Sequence, residues 1–173
     1  MTNEEIFNII SPIVKAVTGV PNCILANPND DAPKGSYCSI QPTQSIRKWG
    51  KGRRVYKCEG DVLTEDVRAQ IIAECSINFY RKDALEFPKL LLDANYRSDV
   101  MGALILNKLG WSHTSDIRNL TALQAHRKES RSQISIYLTY ETSNPHVINY
   151  IERVRLTVGN QETLIDTGTL NER

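Results

Sequence analysis

The chain has 173 residues, enough for one domain with a substantial core. Hydrophobic residues make up 40% and charged residues 24%, and the formal net charge of +1 points neither to nucleic acid nor to an anionic membrane. Apolar runs such as 100–106 are too short to span a bilayer, and the acidic start Thr2-Asn3-Glu4-Glu5 lacks the basic lead of a signal peptide, so the expected setting is a reducing, cytoplasm-like compartment.

Thr2 and Glu5 have capping-box spacing. Ile6, Ile9, Ile10, Ile13, Val14 and Val17 follow at helical spacing, and Gly19 is placed to end that helix. Pro12 interrupts it, which predicts a kink or a break after Ser11. Residues 23–26 read as a short strand, 27–35 as a Pro/Asn/Asp/Gly loop, and 36–41 as a second strand.

Residues 44–54 hold no apolar periodicity. They carry Arg47, Lys48, Lys51, Arg53 and Arg54 around Trp49, Gly50 and Gly52, and read as an exposed basic loop. Residues 54–59 can then pair with a following strand through a turn near Gly60-Asp61.

The strongest periodicity lies in residues 67–80. Val67, Ala69, Ile71, Ala73, Cys75, Ile77 and Phe79 occupy every odd position, and the even positions are mostly polar. Such alternation predicts a strand with one buried and one wet face. At ~3.3 Å per residue it reaches roughly 46 Å, longer than one small domain needs, which hints at assembly. Cys75, on the apolar face, reads as a buried reduced thiol.

Asp83 and Glu86 suggest a helix start, with Leu85, Leu90, Leu91 and Leu92 as its apolar face and Pro88 in its first turn. Ser98 is placed to cap a second helix running through Leu109 and closed by Gly110. Residues 111–125 are less regular. Ile134, Ile136, Leu138 and Tyr140 alternate over 133–140, Asn144-Pro145 reads as a turn, and 147–158 as a third strand. Residues 163–173 carry only Leu164, Ile165 and Leu170 as large apolar residues and read as a flexible or partner-bound tail. The domain expectation is therefore 1–162, followed by a tail at 163–173. The element order predicts an α+β fold: a single domain with a mainly antiparallel sheet and helices on one face.

Catalytic and metal chemistry find little support. The cysteines at 23, 38, 58 and 75 contain no C-x-x-C, and His113, His126 and His146 have no cysteine neighbour at metal spacing. Ser45-Ile46-Arg47-Lys48 matches S-x-x-K without its partner motifs, and Gly50-Lys51-Gly52 lacks phosphate-loop spacing. Ser112, His113, Ser115 and Asp116 are close in sequence, which is not triad geometry. Asp30-Asp31 lacks the further oxygen ligands calcium requires. No catalytic, cofactor or metal residue is assigned. The basic run is the strongest polar feature. It reads as a solvated hairpin tip, or as a phosphate or protein contact with Trp49 stacking on a base or packing into a partner.

Seven segments, in order, carry a resemblance. They are Val17-Thr18-Gly19-Val20-Pro21, Ser36-Tyr37-Cys38-Ser39-Ile40, Ser76-Ile77-Asn78-Phe79-Tyr80, Asp83-Ala84, Leu109-Gly110-Trp111, residues 117–123, and Arg127-Lys128-Glu129-Ser130-Arg131. Across residues 4–158 the chain resembles the neck or tail terminator proteins of tailed bacteriophages. The resemblance implies a structural virion protein assembled in the host cytoplasm, a ring of typically six copies that caps the tail tube and stops its polymerisation. Its implied partners are further copies of itself, the tube protein, a sheath if the tail contracts, a head-proximal connector, and DNA passing through the channel. No cofactor, membrane or catalysis is implied. The basic run and the tail lie outside the resemblance. Arg47, Lys48, Trp49, Lys51, Arg53 and Arg54 are therefore expected to contact a partner or DNA, and Leu164, Ile165 and Leu170 a neighbouring subunit. The alternative is a small nucleic-acid-binding protein using residues 47–54.

Overall fold

The computed structural model describes residues 1–26, 31–60, 62–124, 127–149, 153–158 and 161–166. Helix α1 (Asn3–Thr18) starts and stops where its caps stand. Glu5 N donates to Thr2 Oγ1 at 3.2 Å, and Thr2 N donates to Glu5 Oε2 at 2.7 Å. Gly19 adopts φ 73°, and its amide closes on the Lys15 carbonyl. The expected break at Pro12 does not occur. Pro12 and Asn8, whose carbonyl loses its donor, are both exposed, so water can satisfy the orphaned group.

Strands β1 (Asn22–Leu25), β2 (Tyr37–Glu59), β3 (Val62–Tyr80), β4 (Gly110–Thr114), β5 (Arg118–Asn119), β6 (Ala122–Gln124), β7 (Arg127–Glu129) and β8 (Arg131–Ile148) follow. The main sheet runs β1-β2-β3-β8-β4, with β5 also on β8. β1 pairs with β2 in parallel, and β4 and β5 pair with β8 antiparallel. β6 pairs with β7. Strands β9 (Arg153–Val158) and β10 (Gln161–Asp166) form a separate antiparallel pair. The fold is α+β, as expected.

The chain divides into two compact units. The first comprises residues 1–52 and 69–142, the second 53–68 and 143–173. In the first unit the alternating residues lie where their period predicts. Ala73, Cys75, Ile77 and Phe79 on β3 and Ile134, Ile136, Leu138 and Tyr140 on β8 share one core with Ile6, Ile10 and Val14 of α1. Each fully buried Ile, Leu, Val or Phe among them contributes about 1.5–3 kcal/mol. Towards the start of β3 the burial fades: Ile71 is partly buried and Val67 exposed. The opposite face, expected wet, is buried at Ile72, Ser76 and Asn78, half-buried at Glu74 and Tyr80, and cross-linked. Gln133 Nε2 donates to Ser76 Oγ at 2.8 Å, Arg131 Nη2 donates to Asn78 Oδ1 at 3.2 Å, and Glu74 accepts from Ser45 and Ser135.

Four further elements differ from expectation. Residues 44–54 are not a loop but the middle of the 23-residue β2. No helix begins at Asp83: Arg81 and Asp83 have positive φ, and short 3-10 turns cover Phe87–Leu91 and Ala94–Tyr96. The reason is visible at Ala84. In a helix its carbonyl would accept from residue 88, but Pro88 has no N–H, and buried Ser132 donates to that carbonyl instead. Helix α2 (Ser98–Leu106) is shorter than predicted. Arg97 rather than Ser98 stands at its N-cap, Asn107 Nδ2 donates to the Ala103 carbonyl, and Lys108 turns the chain at φ 55°, so Gly110 opens β4 instead of closing the helix. Finally, Asn144-Pro145 is no turn: β8 runs through it to Ile148, and the expected strand over 147–158 is the end of β8 plus β9.

Candidate assembly interface

The expected basic loop is a stretch of strand. From residue 44 to residue 59 only Val55 is even half-buried. A strand wet on both faces has no apolar period, and Gly50 and Gly52 add loop-like composition. Gly50 sits at φ 67°, outside the strand region, the conformation of a bulge residue. Arg47, Lys48, Trp49 and Lys51 belong to the first unit, and Arg53 and Arg54 to the second. All six side chains are exposed, Trp49 by 60%.

In the second unit Arg54 is engaged. Its Nε lies 3.3 Å from Glu65 Oε1, which also accepts from the Tyr56 hydroxyl at 3.0 Å, while His146 Nε2 lies 3.0 Å from Glu65 Oε2. The neighbouring Asp66 accepts from Arg68 Nε at 2.6 Å, Ser143 Oγ at 2.8 Å and Asn144 N at 2.9 Å. The Arg68 guanidinium, with the Ser143 hydroxyl and the Asn144 amide, holds the Asp66 carboxyl below its ordinary value.

In the first unit Trp49 stands at one end of a groove of about 430 Å³, which crosses the sheet to Gln70, Ile71 and Ile72 of β3, Thr139 of β8 and Gly110, Trp111 and Ser112 of β4. Gly110 lies against Thr139 so closely that a Cβ there would collide with the Thr139 hydroxyl. The Trp111 Nε1 is buried with no hydrogen-bond partner among the described residues. Sequence reasoning missed this groove, because only the strand order places residues 49 and 111 along it.

A second exposed apolar surface surrounds α2. Val100 and Leu104 enter the core, while Tyr96, Met101, Ile105 and Leu106 are exposed, Leu106 by 85%. The signal was present: the segment is apolar almost all round, which a helix with one wet face does not need.

The expected tail is partly structured. Residues 163–166 lie in β10, with Leu164 opposite Arg155 and Ile165 opposite Val154. Leu164 is exposed, the surroundings of the Ile165 side chain lie outside the described residues, and so does Leu170 entirely. Gly159-Asn160 between two alternating runs was the available hairpin signal. Ser112 and His113 lie on β4, and Ser115 and Asp116 just after it. Ser112 Oγ is 3.0 Å from His113 Nδ1, and the imidazole stacks on Tyr137 with centroids 4.2 Å apart. Among the described residues no helix is long and apolar enough to cross a membrane.

No curated protein matches the chain. The profile of a family described as phage neck terminator protein matches residues 4–164, nearly the whole chain. The chain therefore belongs to the phage neck terminator protein family and is a structural component of the phage tail and neck.

Proposed function

We propose that the protein forms a closed ring of six copies at the head-facing end of the tail tube. It stops tube polymerisation there and joins the tail to the connector of the head, with DNA passing through its channel. The observation that carries this reading is the exposed length of β2. Residues 44–59 extend a strand well past the usual 3–10 residues while burying almost nothing. Such a ribbon gains its packing from another molecule, and a closed ring supplies the same neighbour to every copy.

The exposed apolar residues of α2 and the groove at Trp49 offer further contact area, and the basic run supplies register through charge pairs. Arg47, Lys48, Trp49, Lys51, Arg53 and Arg54 meet the acidic surface of a neighbouring copy, with DNA in the channel as the alternative contact, and Leu164, Ile165 and Leu170 pack on an adjacent subunit. A sheath protein is a further partner if the tail contracts.

The test is electron microscopy of the purified protein with tail tubes. Six-fold rings at one tube end are expected, and particles lacking the protein should carry tubes of uncontrolled length that fail to join heads. Tubes of normal length that join heads without it would overturn the reading. Tight, salt-sensitive DNA binding by a monomer would favour the nucleic-acid alternative instead.

A further inference from the structure

We propose that Cys23 and Cys38 form a reversible disulfide that locks edge strand β1 onto β2. The two residues are direct partners in the parallel β1–β2 register. Neighbouring strands lie about 4.8 Å apart, inside the Cα separation a disulfide spans. Both thiols are free, and Cys38 Sγ donates to Cys23 Sγ at 2.8 Å, so bonding requires a small approach of two sulfurs already aimed at each other. The ladder is held on both sides of the pair, since Asn22 faces Tyr37, Ile24 faces Ser39, and the Ala26 amide donates to the Ile40 carbonyl at 2.8 Å.

The surroundings divide the labour between the sulfurs. Cys23 is half-buried, and the Cys38 thiol, the Lys15 ammonium and the Ser11 hydroxyl favour its thiolate. Cys38 is buried and its proton is held more tightly, chiefly by the bond to Cys23. Cys23 is thus the attacking group and Cys38 the resolving one. With a small disulfide such as oxidised glutathione as oxidant, the Cys23 thiolate attacks one sulfur and expels one glutathione thiolate. That thiolate takes the Cys38 proton. Cys38 then attacks the Cys23 sulfur and expels the second thiolate, which takes up from water the proton that Cys23 had released. Two protein thiols are oxidised to one disulfide, and one glutathione disulfide is reduced to two thiols.

Cys75, next to this pair on the core, is fully buried, and burial pushes its thiol up, which makes it a spectator. A phage particle passes from a reducing cytoplasm to an oxidising medium, so the bond would close after assembly. It would then tie the base of the segment between β1 and β2 when no chaperone is at hand.

The experiment uses a Cys58→Ser background, which removes the exposed thiol on β2. The folded protein is held in oxidised glutathione, quenched with acid, unfolded and titrated for thiols, and its peptides are mapped. The proposal expects thiols to fall from three to one, a linked peptide pair joining residues 23 and 38, and a melting temperature that rises and returns on reduction. Adding Cys23→Ser should leave the two remaining thiols unreacted. Three retained thiols, a persistent glutathione adduct on Cys23, or a link through Cys75 would overturn it.

Discussion

Tyr37 and Tyr80 lie face to face across β2 and β3, with ring centroids 4.6 Å apart and planes 7° from parallel. The Arg81 guanidinium stands over the Tyr37 ring at 5.3 Å and that of Arg131 over Tyr80 at 5.1 Å. Arg81 also donates to the carbonyls of Pro33 and Gly35, so the stack anchors the segment that precedes β2. A double-mutant cycle with Tyr37→Leu and Tyr80→Leu should give a coupling of about 0.5–1.5 kcal/mol in urea unfolding. Additive single effects would show that the stack contributes area alone.

Burial separates two positions on β3 that the sequence period treats alike. Ile77 is fully buried and Ile71 only partly. Ile77→Asp places an unpaired carboxylate in the core and should abolish folding, because such a charge costs several kcal/mol. Ile71→Asp should leave a folded chain with a lowered melting temperature. Phe79→Ala should cost about 3–5 kcal/mol. Circular dichroism melts of the three variants check the ranking.

This contrast shows what the sequence could and could not convey. Helix α1 was legible because its caps and apolar stripe are local. The buried halves of β3 and β8 were legible because one face meets the core and writes a period of two. Residues 44–54 were illegible because both faces are wet, so β2 is held by backbone pairing that side-chain pattern does not record. The basic run was visible as composition, but its tie from Arg54 to Glu65 depends on strand register. The groove between Trp49 and Trp111 depends on strand order, and neither was available from residue spacing.

The acidic arm of the stability profile should carry a signature of Asp66. Folding lowers its proton affinity, so the unfolded chain takes up this proton at a higher pH than the folded chain does. The stability it contributes is complete above an unfolded value near 3.8 and is lost as pH falls through the lower folded value. Asp66→Asn removes that dependence. The stability gap between wild type and variant should narrow as urea midpoints are followed from about pH 6 to about pH 2.5. A constant gap would show that the carboxylate's charge is immaterial.

Replacing Arg47, Lys48, Lys51, Arg53 and Arg54 together by serine should preserve the fold. The Arg54–Glu65 pair is largely exposed on the arginine side, and such pairs contribute about 1 kcal/mol or less. Ring formation or attachment to tube and neck should fail. Normal joining with altered DNA release would assign the run to DNA instead.

Removing residues 161–173 takes away β10, the strand that pairs with β9 among the described residues. Amide exchange over 153–158 should accelerate while α1 keeps its protection, and assembly should weaken through loss of Leu164 and its neighbours. Loss of protection in α1 would show that the last strand supports the first unit as well.

The allotment of chain to the two units has a practical consequence. The second unit is written in two separated passages, 53–68 and 143–173, and three strands, β2, β3 and β8, each cross from one unit into the other. No single scission can therefore liberate either unit whole. Excising the first unit means cutting near 52/53, 68/69 and 142/143, and each of those cuts falls inside a strand whose remainder belongs to the other unit. Engineering that treats this protein as a core with a detachable appendage would cut through the rails on which both run.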